Sequence, residues 1–277
     1  MILSTASPAL VPGGALLLLA VAIALYGLAA WPGARTQRLS TAALLGAFLL
    51  HGLLLLVDIG GFGQREPGAR LGFGPVLSIT VWLVIAVYSI ESRLVPLPVV
   101  RQWLGLWGVA AVVVAGLFPG DLRVLSSPLA PLHFALGVGS YGLFGVAVLH
   151  AVLLDAAERR LRPGAAGTHR PVAGATFGMP LLQLERLTFR FVEAGFAVLT
   201  AALLLGIVST VQWRWGDHKA VFSMLAWAVF AGLLLGRRLR GWRGRKATRW
   251  LYVGVALLLL AYAGSRFVLE VLLGRPA

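Results

Sequence analysis

PLHFALGVGSYGLFGVAVLHAVLL, residues 131–154, contains no aspartate, glutamate, lysine or arginine. About 20 consecutive mostly apolar residues are enough for a helix to cross the roughly 30 Å hydrocarbon core of a bilayer, and this stretch exceeds that length. Charge returns at once in DAAERRLRP, residues 155–163. Long apolar segments bounded by charge recur along the chain. Eight qualify as spans, at approximately 13–31, 41–58, 73–91, 97–118, 131–154, 189–211, 220–236 and 249–272. The first has no basic region before it and no convincing cleavage site after it, so it reads as a retained span rather than a signal peptide.

Composition agrees. The 277 residues are 59% hydrophobic and 12% charged, with mean hydropathy +0.87. Soluble domains run about 45–50% apolar and about 25% charged, which excludes a water-soluble enzyme. Cysteine is absent. Disulfides, thiolate metal sites, cysteine nucleophiles and thioether attachment of haem to this chain are therefore all excluded. The expected architecture is all-α: a polytopic transmembrane bundle of about eight helices forming a single membrane domain over residues 1–277.

The net charge of +14 would suggest nucleic acid in a soluble protein. Here the basic residues sort by loop. Loops after the first, third, fifth and seventh spans hold 17 of them, including Arg35, Arg93, Arg101, Arg159 and Arg245, against 6 in the other loops and the C-terminal tail. Lys and Arg in short loops favour the cytoplasmic side. Both termini are thus expected on the outer, periplasmic side of a bacterial inner membrane, with anionic lipid headgroups as partners of the basic loops. Nucleic acid is not an expected partner. The inner segment 155–188, rich in Pro, Gly and Ala, reads as a flexible linker dividing the spans five plus three. No internal repeat, phosphate loop or dinucleotide fingerprint appears.

Polar residues inside hydrocarbon are costly and point to function. His133 opens the fifth span. At 100° per residue it shares a face with Gly137, Ser140 and Phe144, so a flat object could approach over Gly137 beneath the imidazole. Gly139, Gly142 and Gly145 form the opposite stripe. Two readings stay open: a small-residue packing helix with an interfacial histidine, or an axial ligand to haem iron. His51 lies near the middle of the second span, with Phe48, Leu55 and Asp58 on its face. It is either a buried histidine bonded to a neighbouring helix or a ligand. Residues 212–227, QWRWGDHKAVFSMLAW, gather Trp213, Trp215, Asp217, His218, Lys219 and Trp227 at one outer turn. Interfacial tryptophans and an Asp217 cap explain part of that composition. Aromatic planes beside cations also suit a planar, carboxylate-bearing ligand. Arg266 and Glu270 are spaced for an ion pair within the last span.

HFALGVGSYGLFGVAVLHAVLL (133–154) resembles the histidine-led helix of the cytochrome c assembly protein family, the CcsA/CcmC haem-handling group. WGDHKAVFSMLAWAVFAGLLLGRR (215–238) resembles that family's WDPKETWSLITW signature in thinned form. Trp215, Asp217, Lys219, Ser223 and Trp227 match in type, Phe222 stands where the signature has Trp, and His218 where it has Pro. GRRLRGWRGRKATRW (236–250) followed by GSRFVLEVLL (264–273) is most similar to the HemX-like or YpjD-like inner-membrane branch.

The resemblance implies haem b held by His133 and sheltered by residues 213–227; Gly137 leaves room for it on the same face, and the family's second outer histidine is missing here, so His51 or His218 is the candidate second ligand. It implies a factor that presents haem to apocytochrome c or to other assembly proteins at the outer face. Such a factor would act within a haem lyase system while turning over no substrate itself. The alternatives are an accessory or regulatory membrane protein of haem metabolism without its own haem site, and a small-solute permease built around His51 and the Arg266/Glu270 pair.

Overall fold

The protein is represented by a computed structural model that describes residues 13–32, 37–59, 69–70, 72–93, 97–120, 122–123, 129–160, 180–209 and 218–264. Eight α-helices follow in chain order: α1 Gly13–Ala30, α2 Gln37–Ile59, α3 Phe73–Glu91, α4 Pro98–Leu117, α5 Ala130–Arg160, α6 Leu181–Ser209, α7 His218–Arg240 and α8 Gly244–Leu259. A short π-helical turn, Leu260–Gly264, continues α8. Among the described residues a two-residue antiparallel ladder pairs Ala69 with Arg123 and Arg70 with Leu122. In hydrocarbon every backbone N–H and C=O must be satisfied within the chain, and a helix does this segment by segment. The apolar runs fold accordingly.

Six of these helices, α2 to α7, are long and apolar enough to cross a membrane. The expected eight helices are all present. Among the described residues the apolar part of α1 covers Leu16–Ala30, and α8 runs for 16 residues before its hydrogen bonding changes to the π pattern.

The segment 155–188 was expected to be linker, yet α5 continues to Arg160 and α6 begins at Leu181. Apolarity ends where charge begins, whereas a helix that leaves the hydrocarbon continues while its residues favour it. Ala156, Ala157, Glu158 and Arg159 are all good helix formers. His169 lies outside the described residues.

Two cores share the bundle. Tyr26, Ala29, Leu44, Ala47, Ile85 and Leu104 belong to the first, formed by α1 to α4 together with Val146 of α5. Phe144, Val192, Phe230, Leu233 and Leu251 belong to the second, formed by α5 to α8. Helix α5 joins them: it lies against α3 on one side and against α6 and α8 on another. Small residues set these approaches. A Cβ on Gly108 of α4 would sit 2.6 Å from the Tyr26 ring of α1, and one on Gly145 of α5 would sit 2.8 Å from Val84 of α3. Of the expected Gly139, Gly142 and Gly145 stripe, Gly142 and Gly145 meet Leu83 and Val84 at the α3–α5 contact, whereas Gly139 faces Val198 of α6. Gly241, at φ +62°, turns the chain between α7 and α8 in a conformation that few residues other than glycine adopt readily. Large apolar side chains such as Leu49, Leu56, Trp103, Trp107 and Val208 remain exposed on the outside, as a lipid-facing surface requires.

Candidate functional site

His133 stands in the first turn of α5 and faces α6. Its Nδ1 lies 3.0 Å from the Ala202 carbonyl oxygen. A carbonyl only accepts, so Nδ1 carries the proton and donates. In the neutral ring, Nε2 then keeps its lone pair, and among the described residues it has no hydrogen-bond partner. The approach depends on Gly206, where a Cβ would come within 2.9 Å of His133 Cε1. One turn below, a Cβ on Gly137 would meet nothing within 4 Å, so the face beneath the imidazole is open. An imidazole fixed through one nitrogen, with the other free, is the arrangement usual for metal-ligating histidines.

His51 is placed very differently. It is 1% exposed, and both ring nitrogens are engaged: Nδ1 with the Tyr26 hydroxyl at 2.9 Å and Nε2 with Ser78 Oγ at 2.7 Å. The Tyr26 ring meets it edge-on. On the same face of α2, Phe48 stacks on Trp82 of α3, whose indole N–H donates to the Phe48 carbonyl. His51 therefore ties α1, α2 and α3 together, and ligation would require it to release one of its two partners. Tyr26 and Ser78 carry the signal that could have revealed this: they are polar side chains in apolar spans whose partner is another such residue.

Trp213, Trp215 and Asp217 lie outside the described residues, as do Arg266 and Glu270. His218 opens α7, but its side chain is likewise outside the description. Phe144 of α5 stacks on Phe230 of α7 with ring centroids 3.9 Å apart. Eleven residues earlier on each helix come His133 and Lys219. At 1.5 Å per residue both lie about 16 Å toward the same end of the bundle, so the two occupy one height. Trp227 is elsewhere. Its indole N–H donates to Thr200 Oγ1 at 2.9 Å and its ring stacks on Phe196, both on α6. Around α6, Gly206 lies about 120° from Thr200 at 100° per residue. The groove that holds His133 and the face that holds Trp227 are therefore about a third of a turn apart.

Three polar contacts went unforeseen. His150, expected at the end of the fifth span, lies ten residues inside α5. It is buried with Nε2 3.1 Å from Glu91 of α3, Nδ1 on the Val146 carbonyl, and its ring stacked on Phe191. Asp155 accepts from Thr248 Oγ1 at 3.0 Å and from the Tyr252 hydroxyl at 2.9 Å, clasping α5 to α8. Arg237 pairs with Glu185 at 3.0 Å while lying over the Phe189 ring. Among the described residues no group of three or more His, Asp or Glu is gathered for a metal ion.

The profile of the family described as "Cytochrome C assembly protein" matches residues 13–273. The inner membrane protein YpjD of Escherichia coli strain K12 is 26% identical over 85% of this chain and 88% of its own length. The cytochrome c biogenesis protein CcsA of Parasynechococcus marenigrum is 27% identical over 91% of this chain and 90% of its own. A 28.8 kDa protein of Azospirillum brasilense is 34% identical, but the match spans about half of each chain, at 52%. No solved structure matches. With a family profile that covers nearly the whole sequence and six helices able to cross a membrane, the chain is a multi-pass membrane protein that belongs to the cytochrome c assembly family.

Proposed function

We propose that this protein handles haem for the assembly of c-type cytochromes, binding or presenting it at the outer face of the bacterial inner membrane with both of its own termini outward. The observation that carries the reading is the pose of His133: Nδ1–H is spent on the Ala202 carbonyl, and among the described residues Nε2 has no hydrogen-bond partner and nothing lies within 4 Å of a Cβ on Gly137. Family membership and the relative named as a CcsA biogenesis protein support it. In this reading haem b is the cargo, and its iron offers a coordination position that an imidazole fills. His133 holds and orients it. Gly206 lets the ring seat against α6, Gly137 leaves room for the flat macrocycle, and Lys219 stands at a height suited to a propionate. His218 is the preferred second ligand over His51, whose nitrogens are both occupied. The haem passes to apocytochrome c or to another assembly protein, and the thioether bonds form on that partner's cysteines, consistent with a chain that has none.

The test is the absorption spectrum and pyridine-haemochrome content of the detergent-purified protein. A Soret band that shifts on reduction and falls in His133→Ala supports the reading. Protein free of haem after expression with haem supplied would replace it with the accessory reading.

A further inference from the structure

A cavity of about 210 Å³ lies where α2 begins, α3 ends and α4 begins. Its wall carries Arg93 and Arg101 with Gln37, Tyr88 and Ser92, and Leu45 lines it as well. No carboxylate is among the described residues that line it. Arg101 is 3% exposed. Its Nε and Nη1 reach the Ala29 and Gln37 carbonyl oxygens at 3.3 and 3.4 Å. These long bonds go to neutral acceptors, and among the described residues no carboxylate forms an ion pair with Arg101, a costly condition for a charge away from water. The hydroxyls are already committed: Tyr88 donates to the Leu97 carbonyl and Ser92 to that of Ser89. They shape the wall and leave the positive charge to the two arginines.

Depth and polarity narrow the occupant to one chemistry. Arg101 comes three residues after the start of α4, about 4.5 Å along the helix axis, so it sits near one end of that apolar helix, the end of a span being where headgroups lie. Arg93 is exposed beside the cavity, and the partly exposed Leu45 continues it along α2 onto the apolar flank of the bundle. A free phosphate would gain nothing from that apolar flank, whereas a lipid acyl chain fits it. With no carboxylate present, nothing would meet the ammonium of a zwitterionic headgroup. We infer that this cavity is a site for the phosphate of an anionic glycerophospholipid, such as phosphatidylglycerol, whose acyl chain runs past Leu45 and whose charge neutralises Arg101. The three helix ends it joins lie at the end of the bundle expected to face the cytoplasm, where basic pockets between helices take such headgroups. This inference is independent of haem binding.

Native mass spectrometry of the full chain in mild detergent tests it, with phosphatidylglycerol and phosphatidylethanolamine supplied equally and inorganic phosphate added in a separate arm. The expected result is retention of phosphatidylglycerol about fivefold or more over phosphatidylethanolamine, lowered about fivefold by Arg101→Met and by Arg93→Gln. The control Arg249→Gln, on α8 and remote from the cavity, should leave it unchanged. Should Arg101→Met fail to accumulate, Arg93→Gln, an exposed position, decides alone. Equal retention of the two lipids, or unchanged retention in Arg93→Gln, overturns the inference. Displacement of the lipid by inorganic phosphate at equal concentration overturns it too, since the site would then be one for free phosphate.

Discussion

His133 of α5 donates through Nδ1 to the backbone carbonyl of Ala202 on α6, across 3.0 Å. The contact forms because residue 206 is glycine: any side chain there would meet the imidazole edge. One backbone acceptor and one absent side chain thereby settle which ring nitrogen is free.

Substitutions around that ring should separate ligation from folding. Gly137→Leu enters open space and replaces a poor helix former by a good one, a gain of up to about 1 kcal/mol. Thermal stability in detergent should hold or rise while haem content falls several-fold. Unchanged haem content in a well-folded Gly137→Leu protein would remove the macrocycle from this face. Gly206→Ala, which pushes the ring by its Cε1, should weaken haem retention less than His133→Ala does.

His51 is expected to report on stability rather than on haem. Tyr26→Phe and Ser78→Ala each delete one of its hydrogen bonds. Buried bonds between membrane helices average about 0.6 kcal/mol and reach about 1.7. Each variant should lower the melting temperature modestly, and His51→Leu should leave the haem spectrum as it is. A lost Soret band in His51→Leu at wild-type stability would instead make His51 the ligand.

Asp155 accepts two hydroxyl bonds from α8, so Asp155→Leu should loosen that helix. Bonds to a charged acceptor contribute about 1.5–3 kcal/mol each before neighbours adjust. The measurement is limited proteolysis in the Gly241–Arg245 turn beside thermal unfolding. Faster cleavage there, with haem content per folded protein unchanged, is the expected pair of results.

Gly108→Val should separate α1 from α4, because even its Cβ would fall 2.6 Å from the Tyr26 ring. Overpacking typically costs about 1–3 kcal/mol, and expression yield should drop accordingly. Gly232→Val, where a Cβ meets nothing within 4 Å, is the matched control.

The 17-to-6 asymmetry of basic residues between alternate loops predicts an orientation. Reporter fusions after residues 35, 165 and 242 should read cytoplasmic, and a fusion at the C-terminus periplasmic. A cytoplasmic C-terminus would reverse the last helix and require another assignment of inner and outer faces.

The spans of α3 and α4 were legible to within a residue or so, because hydrocarbon imposes one rule on every residue of a span and the charged residues at its ends mark where that rule stops. The same rule misplaced the inner ends of α5 and α6, since a helix in water is not obliged to end where apolarity does. Helical periodicity put Gly137 on the face of His133 and grouped Gly142 with Gly145, because those relations lie within one helix. Relations between helices were beyond it. The sequence offered His133 and His51 as candidate ligands without naming a partner for either. Packing against α6 engaged one nitrogen of the first, hydroxyls from α1 and α3 engaged both nitrogens of the second, and Glu91 of α3 took His150. Arg101 read as one more positive charge in an inner loop until three helix ends closed a cavity around it. A side chain's chemistry depends on which partner reaches it, and partners from distant helices are chosen by close packing, which a single chain's periodicity does not encode.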